Sequence, residues 1–220
     1  MTTNTVPIGE AVRYGWEKVK ERLGFWIVLE LIVVLINGVP SWLGTVLQRN
    51  NALALATVVN LIGAVISIIV AIGVFVIAFK IYDGQQPTYA DLFSRRNLFW
   101  RYLGGVLLYG SIVTVGFVLF IIPGFIFLLT YQFVPYLIVD RGLGATEALR
   151  ISGRITAGAK WGLLGFAIVL FLINLLGVIA LGVGLAITVP LTWMAGVYMY
   201  RYRLAQAGTA PAAPQPVPAI

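Results

Sequence analysis

Residues 52–79 read ALALATVVNLIGAVISIIVAIGVFVIAF, an unbroken run of 28 residues without a charged side chain. An α-helix needs about 20 apolar residues to cross a bilayer, because each residue adds about 1.5 Å and the hydrocarbon core is about 30 Å thick. The run therefore predicts a transmembrane helix that is long enough to tilt.

The composition extends this conclusion to the rest of the chain. Of the 220 residues, 60% are hydrophobic and 10% are charged, and the mean hydropathy is +0.95. A soluble domain carries about 25% charged residues, because its surface must be solvated by water. The composition predicts one all-α domain, a polytopic integral membrane bundle.

Neighbouring apolar stretches predict about six membrane spans. The stretch from Trp161 to Met199 is too long for one span and divides at residues 182–184. The stretch from Phe125 to Val139 is short and contains Pro135, so a re-entrant hairpin is the alternative to a crossing helix. The predicted spans are residues 25–47, 52–79, 99–122, 125–139, 161–181 and 185–201.

These spans form a predicted membrane domain over residues 8–204, between a flexible N-terminus (1–7) and a disordered tail rich in Pro and Ala (205–220). Three segments beside the spans predict short amphipathic helices at the membrane surface, because apolar residues recur there at steps of three and four. These segments are residues 8–23, 88–97 and 145–157. Thr88 followed by Asp91 is a typical helix start.

The basic residues predict the orientation. When the loops are placed alternately on the two sides of a membrane, one side receives 14 of the 15 Lys and Arg residues and the other receives Arg49 alone. Basic residues near span ends stay in the cytoplasm, so we expect both termini there, in the cell inner (cytoplasmic) membrane. Residues predicted to meet anionic headgroups at this face are Trp16, Lys20, Arg95, Arg96, Arg150, Arg154 and Lys160. The alternative is that these residues only set topology and anchor helices.

Short sequence matches indicate an internal repeat in which an amphipathic helix precedes each pair of spans. Residues 10–13 (Glu-Ala-Val-Arg) parallel residues 147–150 (Glu-Ala-Leu-Arg), and residues 81–83 (Ile-Tyr-Asp) parallel residues 138–140 (Ile-Val-Asp). Three units with the same orientation would be related by an axis along the membrane normal.

Polar residues inside the predicted spans form a candidate intramembrane site. An ionisable side chain in hydrocarbon is costly, so Glu30 is a candidate proton or cation site. Its alternative role is to reach the interface and pair with a basic residue. Amides can line a polar cavity, but they more often join neighbouring helices through hydrogen bonds. The candidates are Glu30, Asn37, Asn60, Gln132 and Asn174.

The sequence predicts no catalytic residues, no metal and no cofactor. The chain contains neither Cys nor His, which removes thiol chemistry and zinc or haem ligation through those side chains. No phosphate-binding glycine loop stands at a strand–helix junction. The net charge of +7 is spread between apolar stretches instead of forming a basic patch on a soluble module, so we expect no nucleic-acid partner.

Several short motifs resemble a known family, the glycerophosphoryl diester phosphodiesterase membrane-domain family, in its stand-alone form. They include Ile122-Pro123-Gly124, Phe133-Val134-Pro135, Val139-Asp140, Glu147-Ala148-Leu149-Arg150, Asp91-Leu92-Phe93-Ser94 and Tyr14-Gly15-Trp16. The resemblance implies a six-helix membrane domain. The phosphodiesterase domain found in some relatives is absent here, so the resemblance carries over no activity.

Two hypotheses of function follow from the sequence. The first is a non-enzymatic membrane protein that binds lipids, with anionic headgroups favoured, or a protein partner, either another membrane protein or a second copy. The second is a small transporter or channel that uses Glu30 and the buried amides. A water-accessible path to those residues would favour transport, whereas a dry core would favour lipid or partner binding.

The predicted orientation can be tested by labelling in intact cells. We expect an impermeant maleimide to label the variant Arg49→Cys and to label Arg154→Cys only after the membrane is opened, because the chain has no native cysteine. Labelling of Arg154→Cys, and not of Arg49→Cys, from outside would reverse the orientation.

Overall fold

The computed structural model describes residues 6–180 and 182–208, and within these ranges the regular structure is entirely helical. The all-α prediction is confirmed. Residues 1–5 and 209–220, in the predicted N-terminus and tail, lie outside the described residues. The α-helices are α1 (Ile8–Lys20), α2 (Leu23–Arg49), α3 (Leu53–Tyr82), α4 (Phe99–Leu119), α5 (Ile121–Tyr131), α6 (Val134–Arg141), α7 (Ala145–Ile155), α8 (Lys160–Ile179) and α9 (Leu185–Gln206).

By length and composition, five helical segments of the described chain can cross a membrane. They are Leu23–Arg49, Leu53–Tyr82, Tyr89–Leu119, Ile121–Arg141 and Lys160–Ile179. The predicted sixth span, α9, has 22 residues and is long enough, but it contains Pro190, two threonines and two arginines. It contacts α1, α2, α3 and α8, so much of its surface meets protein instead of lipid. A helix in such a position does not need a uniformly apolar surface.

The short fourth span is a broken helix. α5 and α6 together cover Ile121–Arg141, and the break falls at Gln132 and Phe133, just before Pro135 in the first turn of α6. Proline is accepted there because the first N–H groups of a helix have no partner within the helix. The preceding turn lies at Phe120, whose backbone is extended. The third span, predicted for residues 99–122, therefore ends at Leu119, and Pro123 belongs to α5.

Helix α1 is amphipathic as predicted, and its small-residue face packs against α9. Ala11, Gly15 and Val19 are buried and recur every four residues, so they lie on one face. A Cβ atom at Gly15 would stand 2.6 Å from the Leu191 carbonyl oxygen. The two backbones can therefore approach this closely only because residue 15 is glycine.

The segment predicted as a second amphipathic helix, residues 88–97, instead forms two short 3-10 helices, Tyr89–Phe93 and Arg96–Leu98. The predicted capping box between Thr88 and Asp91 is present. Asp91 also accepts a hydrogen bond from Lys80 Nζ of α3 at 2.6 Å, and the Leu92 backbone lies against Gly73 of the same helix. These contacts hold the first 3-10 helix against the second half of α3, so the segment does not form a separate amphipathic helix at the membrane surface.

The contacts between helices follow the three-unit repeat that the sequence indicates. The three units are α1–α3, the first 3-10 helix to α6, and α7–α9. Each unit begins with a short helical element that packs against helices of the unit before it in the ring. The first 3-10 helix contacts α3, α7 contacts α5 and α6, and α1 contacts α9. The last of these contacts joins the first unit to the third, so the units form a closed ring.

The final helices of the three units, α3, α6 and α9, meet in the interior. Their contact includes an aromatic cluster of Phe79, Tyr136 and Tyr200, with ring centroids 5.6–6.4 Å apart. Phe133, at the break between α5 and α6, joins it with its ring 5.7 Å from that of Tyr136. Aromatic pairs at such distances stabilise beyond the area that they bury. This cluster is the centre of the ring.

We predict that a larger side chain at position 15 separates α1 from α9. Gly15→Leu should lower the free energy of unfolding in detergent by about 1–3 kcal/mol, the usual cost of overpacking, measured by circular dichroism during denaturation. Gly9→Leu on the same helix is the control, because no atom lies within 4 Å of a Cβ there. Both changes raise helix propensity, so equal effects would contradict a close contact between α1 and α9.

Candidate functional site

The final helices of the three units end at the same end of the bundle, where one arginine binds two acids. Arg201 Nη2 of α9 lies 2.9 Å from Asp140 Oδ1 of α6 and 3.3 Å from Asp83 Oδ2, just after α3. Tyr200 Oη donates to Asp140 Oδ2 at 2.8 Å. The guanidinium also lies 5.1 Å from the Phe79 ring centroid. This cluster defines what we call the basic end of the bundle.

The electrostatics of the cluster depend on Arg201. Burial raises the pKa of the Asp83 carboxyl, Arg201 acts against that rise, and the negative charge of Asp140 adds to it. Two carboxylates so close together would repel each other without a cation between them. Arg201 therefore compensates both acids and holds three helices at one point.

Other contacts place the remaining loops at the basic end. Arg203 Nε donates to the Ile155 carbonyl at the end of α7. Arg101 donates to the Gly142 carbonyl after α6, and Arg22 donates to Gln86 in the loop after α3. The turn that carries Arg49, between α2 and α3, lies at the opposite end. The geometry thus separates the basic residues as the loop alternation predicted.

Five predicted headgroup residues at the basic end have no ion-pair partner within the described ranges. They are Lys20, Arg95, Arg96, Arg154 and Lys160. Lys20, Arg96 and Arg154 are exposed, and the other two are half-buried. Arg150 differs, because Glu147 lies 3.8 Å away on the same helix. The basic end therefore presents positive charges that the part of the chain described by the structure does not neutralise.

Exposed tryptophans accompany these cations. Trp100 and Trp161 are 76% and 86% exposed, and each stands in the first turn of a long helix beside a basic residue, Arg101 or Lys160. Trp16, predicted for the headgroup level, is 47% exposed on α1. Indole rings favour the boundary between headgroups and acyl chains. The arrangement is typical of an interfacial belt.

The predicted intramembrane polar residues are not brought together. Glu30 and Asn37 share α2, whereas Asn60 lies against Gly44 where α2 and α3 pair. Gln132 donates to the Leu129 carbonyl at 2.9 Å. Asn174 lies on α8, and its Oδ1 is buried without a hydrogen-bond partner in the protein. Three of the five residues thus belong to the α2–α3 pair, whereas Gln132 follows α5 and Asn174 lies on α8.

Glu30 lies near a second buried polar group, the indole of Trp26 one turn earlier on α2. Glu30 Oε1 and Trp26 Nε1 are both buried without a hydrogen-bond partner in the protein. The Trp26 ring lies 6.3 Å from the ring of Trp193 of α9. No basic residue forms an ion pair with Glu30 in the described ranges, so the predicted pairing at the interface is not present.

Side-chain hydroxyls donate hydrogen bonds to the backbone carbonyls at the end of α5. The last carbonyls of a helix have no partner within it, and here they lie at a break inside a membrane span. Ser152 of α7 donates to the Thr130 carbonyl at 2.8 Å, and the hydroxyl of Thr156, just after α7, lies 3.1 Å from the same oxygen. Tyr109 of α4 donates to the Leu128 carbonyl at 3.3 Å. Carbonyls at the broken ends of helices coordinate ions in some transporters, and here they accept hydrogen bonds from side chains of the protein.

A cavity of about 230 Å³ lies between α2, α3 and α9. Its lining is apolar apart from Asn37 and Ser67, and it includes Trp193. Glu30, Asn60, Gln132 and Asn174 do not line it. The cavity therefore does not connect the predicted polar residues.

The sequence interpretation missed the binding of Asp83 and Asp140 by Arg201. The repeat contained the signal, because residues 81–83 and 138–140 were aligned as equivalent and their aspartates do converge. In the sequence, Arg201 is one of the 14 basic residues that predict the orientation, and no local pattern marks it as the cation that both acids share.

The fold and the surface define a multi-pass integral membrane protein. The chain belongs to a family described as "Domain of unknown function (DUF7847)", whose model matches residues 46–220. This match covers most of the chain, from the end of α2 onward. No curated protein and no solved structure matches it.

We predict that Arg201→Gln destabilises the fold most strongly near neutral pH. Removing one partner of a buried ion pair costs roughly 3 kcal/mol because the remaining charge is uncompensated. Without Arg201 the pKa of Asp83 should rise further, so the native state binds a proton that the unfolded chain releases above about pH 4. The free energy of unfolding of the variant therefore decreases as the pH rises from about 4 toward the raised pKa of Asp83.

The measurement is the melting temperature of wild type and variant in detergent between pH 4.5 and 7.5. The difference between the two proteins should narrow as the pH falls. Arg13→Gln is the control, because Arg13 forms only an exposed pair with Glu17 at 3.8 Å. A pH-independent difference would show that Arg201 acts through packing alone.

Proposed function

We propose that this protein is a non-enzymatic membrane protein that binds anionic lipid headgroups at its basic end. The observation that carries the proposal is the set of basic side chains there without ion-pair partners in the described structure. A basic residue near an anionic membrane surface contributes about 1 kcal/mol of attraction. The flanking exposed Trp100 and Trp161 suit the depth at which such headgroups lie.

The interior supports this proposal over transport. Transporters with broken helices expose half-helix ends to their substrates or coupling ions, whereas hydroxyls occupy the end of α5 here. The polar residues that would form a pathway are dispersed over separate helix pairs. Glu30 is the feature that transport would require, and its buried oxygen without a partner keeps that function as the second candidate.

The proposed topology follows from the same charges. The basic end faces the cytoplasm, in accordance with the positive-inside rule, and α9 makes the sixth crossing, which returns the chain to that side. Under this proposal both termini lie in the cytoplasm, and the protein lies in the cell inner (cytoplasmic) membrane. The motifs that resemble the glycerophosphoryl diester phosphodiesterase membrane-domain family fit such a six-helix arrangement, and we propose that relationship as well.

We predict that the protein prefers anionic to zwitterionic lipid through its unpaired cations. Purified protein in mixed phosphatidylglycerol and phosphatidylcholine nanodiscs should retain phosphatidylglycerol, measured by native mass spectrometry. The triple variant Arg96→Gln, Arg154→Gln, Lys160→Gln should lose up to about 1 kcal/mol of preference per charge, or about fivefold for each.

The matched control is a second triple variant with the same change in net charge: Arg13→Gln, Lys18→Gln, Arg49→Gln. Arg13 and Lys18 have acidic partners, Glu17 and Glu21, and Arg49 lies at the opposite end. An equal loss in both variants would mean that only net charge matters. A wild type without lipid preference, or ion flux in vesicles that disappears in Glu30→Gln, would contradict the proposal in favour of transport.

A further inference from the structure

The cavity between α2, α3 and α9 lies within the membrane-spanning part of the bundle. Val33 and Asn37 contribute from α2, residues 67–78 from α3, and Trp193 and Val197 from α9. α2 packs along α3 over its length, and α9 joins them at the Trp26–Trp193 contact. Beyond that contact α9 does not fill the angle between the other two helices, and small side chains such as Ala71 leave the space open.

Asn37 and Ser67, which line the cavity, form hydrogen bonds inside the protein. Ser67 Oγ donates to the Gly63 carbonyl at 2.8 Å, and it also contacts Asn37 Oδ1. Asn37 Nδ2 donates to the Val33 carbonyl at 2.7 Å. A polar ligand would find few unmet partners here. The other lining side chains are apolar, so the cavity suits an apolar guest.

Surrounding lipid has direct access to the cavity. Asn37 lines the cavity and is itself exposed on the surface of α2. The opening is therefore continuous with the surface that meets acyl chains. An apolar cavity of about 150 Å³ excludes water and takes up a guest the size of benzene, and this one measures about 230 Å³.

We propose that the cavity binds one acyl chain of a membrane lipid, which enters from the bilayer beside Asn37. The chain segment fills the space against Trp193 and Ala71, with no requirement on the headgroup. A transmembrane helix of a second copy is too wide for this volume, because an α-helix with its side chains is about 10 Å across. This site is independent of the headgroup-binding function, since the cations at the basic end take no part in its lining.

The test uses the full chain in nanodiscs of phosphatidylcholine that carries a photoactivatable diazirine on one acyl chain. Because the headgroup is zwitterionic, the basic end is not being measured. We expect adducts on peptides that contain Trp193 and residues 67–78, mapped by mass spectrometry. Val33→Phe should lower their yield by about tenfold, because the larger side chain takes up space that the acyl chain would otherwise occupy.

Val34→Phe is the matched control, since it introduces the same change one residue away on the lipid-facing surface, and it should leave the yield unchanged. Ala71→Leu, compared with the exposed Ala64→Leu on the same helix, repeats the comparison from α3 if Val33→Phe fails to fold. The triple variant of the basic end should label like wild type.

Three results would overturn the proposal. They are the absence of cavity adducts in the folded wild type, equal labelling of Val33→Phe and Val34→Phe, and protein–protein crosslinks at the cavity in place of lipid adducts. The lipid-preference experiment can fail or succeed separately, because it varies headgroups and this one varies the space for a chain.

Discussion

The convergence of Asp83 and Asp140 on the single guanidinium of Arg201 is the interaction on which the arrangement of the helices depends. Asp140 and Arg201 lie in the last turns of α6 and α9 and Asp83 directly follows α3, so the cluster joins the three helices at one point. A charge in this position is costly unless it is paired. The pairing therefore stabilises the closed ring, because opening the ring would leave the carboxylate of Asp83 or Asp140 without its cation.

The same requirement for internal partners shapes the backbone. Hydrocarbon offers no hydrogen bonds, so a break inside a spanning helix persists only where protein groups satisfy the freed carbonyls. Ser152 and Tyr109 do this for the break between α5 and α6, and Ser152 thereby binds α7 to the unit before it. Gly15 and Gly73 serve the corresponding contacts in the other units, where backbone approaches backbone. Three different local solutions thus produce the same packing of each short element.

Much of this fold follows from the sequence, because span length and hydrophobicity are set by the bilayer and are local properties. The long apolar stretches predicted the spanning helices, and the placement of Lys and Arg predicted which loops share an end. Residues 88–97 were mispredicted because their structure is imposed by Lys80 and Gly73 of α3, which a local pattern does not reveal. The break before Pro135 was foreseen as an irregularity, but its partners on α4 and α7 are distant in sequence.

The candidate site was less predictable, for a related reason. The sequence identifies polar residues whose transfer into hydrocarbon is costly, but that cost does not say whether the residues contact one another. They are Glu30, Asn37, Asn60, Gln132 and Asn174. Periodicity gives the face of a helix on which a residue lies, whereas the neighbour that it faces depends on tertiary packing. Asp83 and Asp140 were within reach of sequence reasoning, because a repeat that places equivalent acids around an axis implies a shared counter-charge. The cavity could not be predicted from the sequence, because it results from the angle between α9 and the α2–α3 pair.

The two proposed lipid contacts differ in their physics, and this difference bears on how the protein would select a lipid. Attraction at the basic end is electrostatic and lies at the aqueous boundary, so dissolved salt screens it over about 8 Å at physiological ionic strength. Occupation of the cavity depends on volume and apolar contact within hydrocarbon, where salt does not reach. The headgroup charge and the acyl chain would therefore be read by separate parts of the bundle.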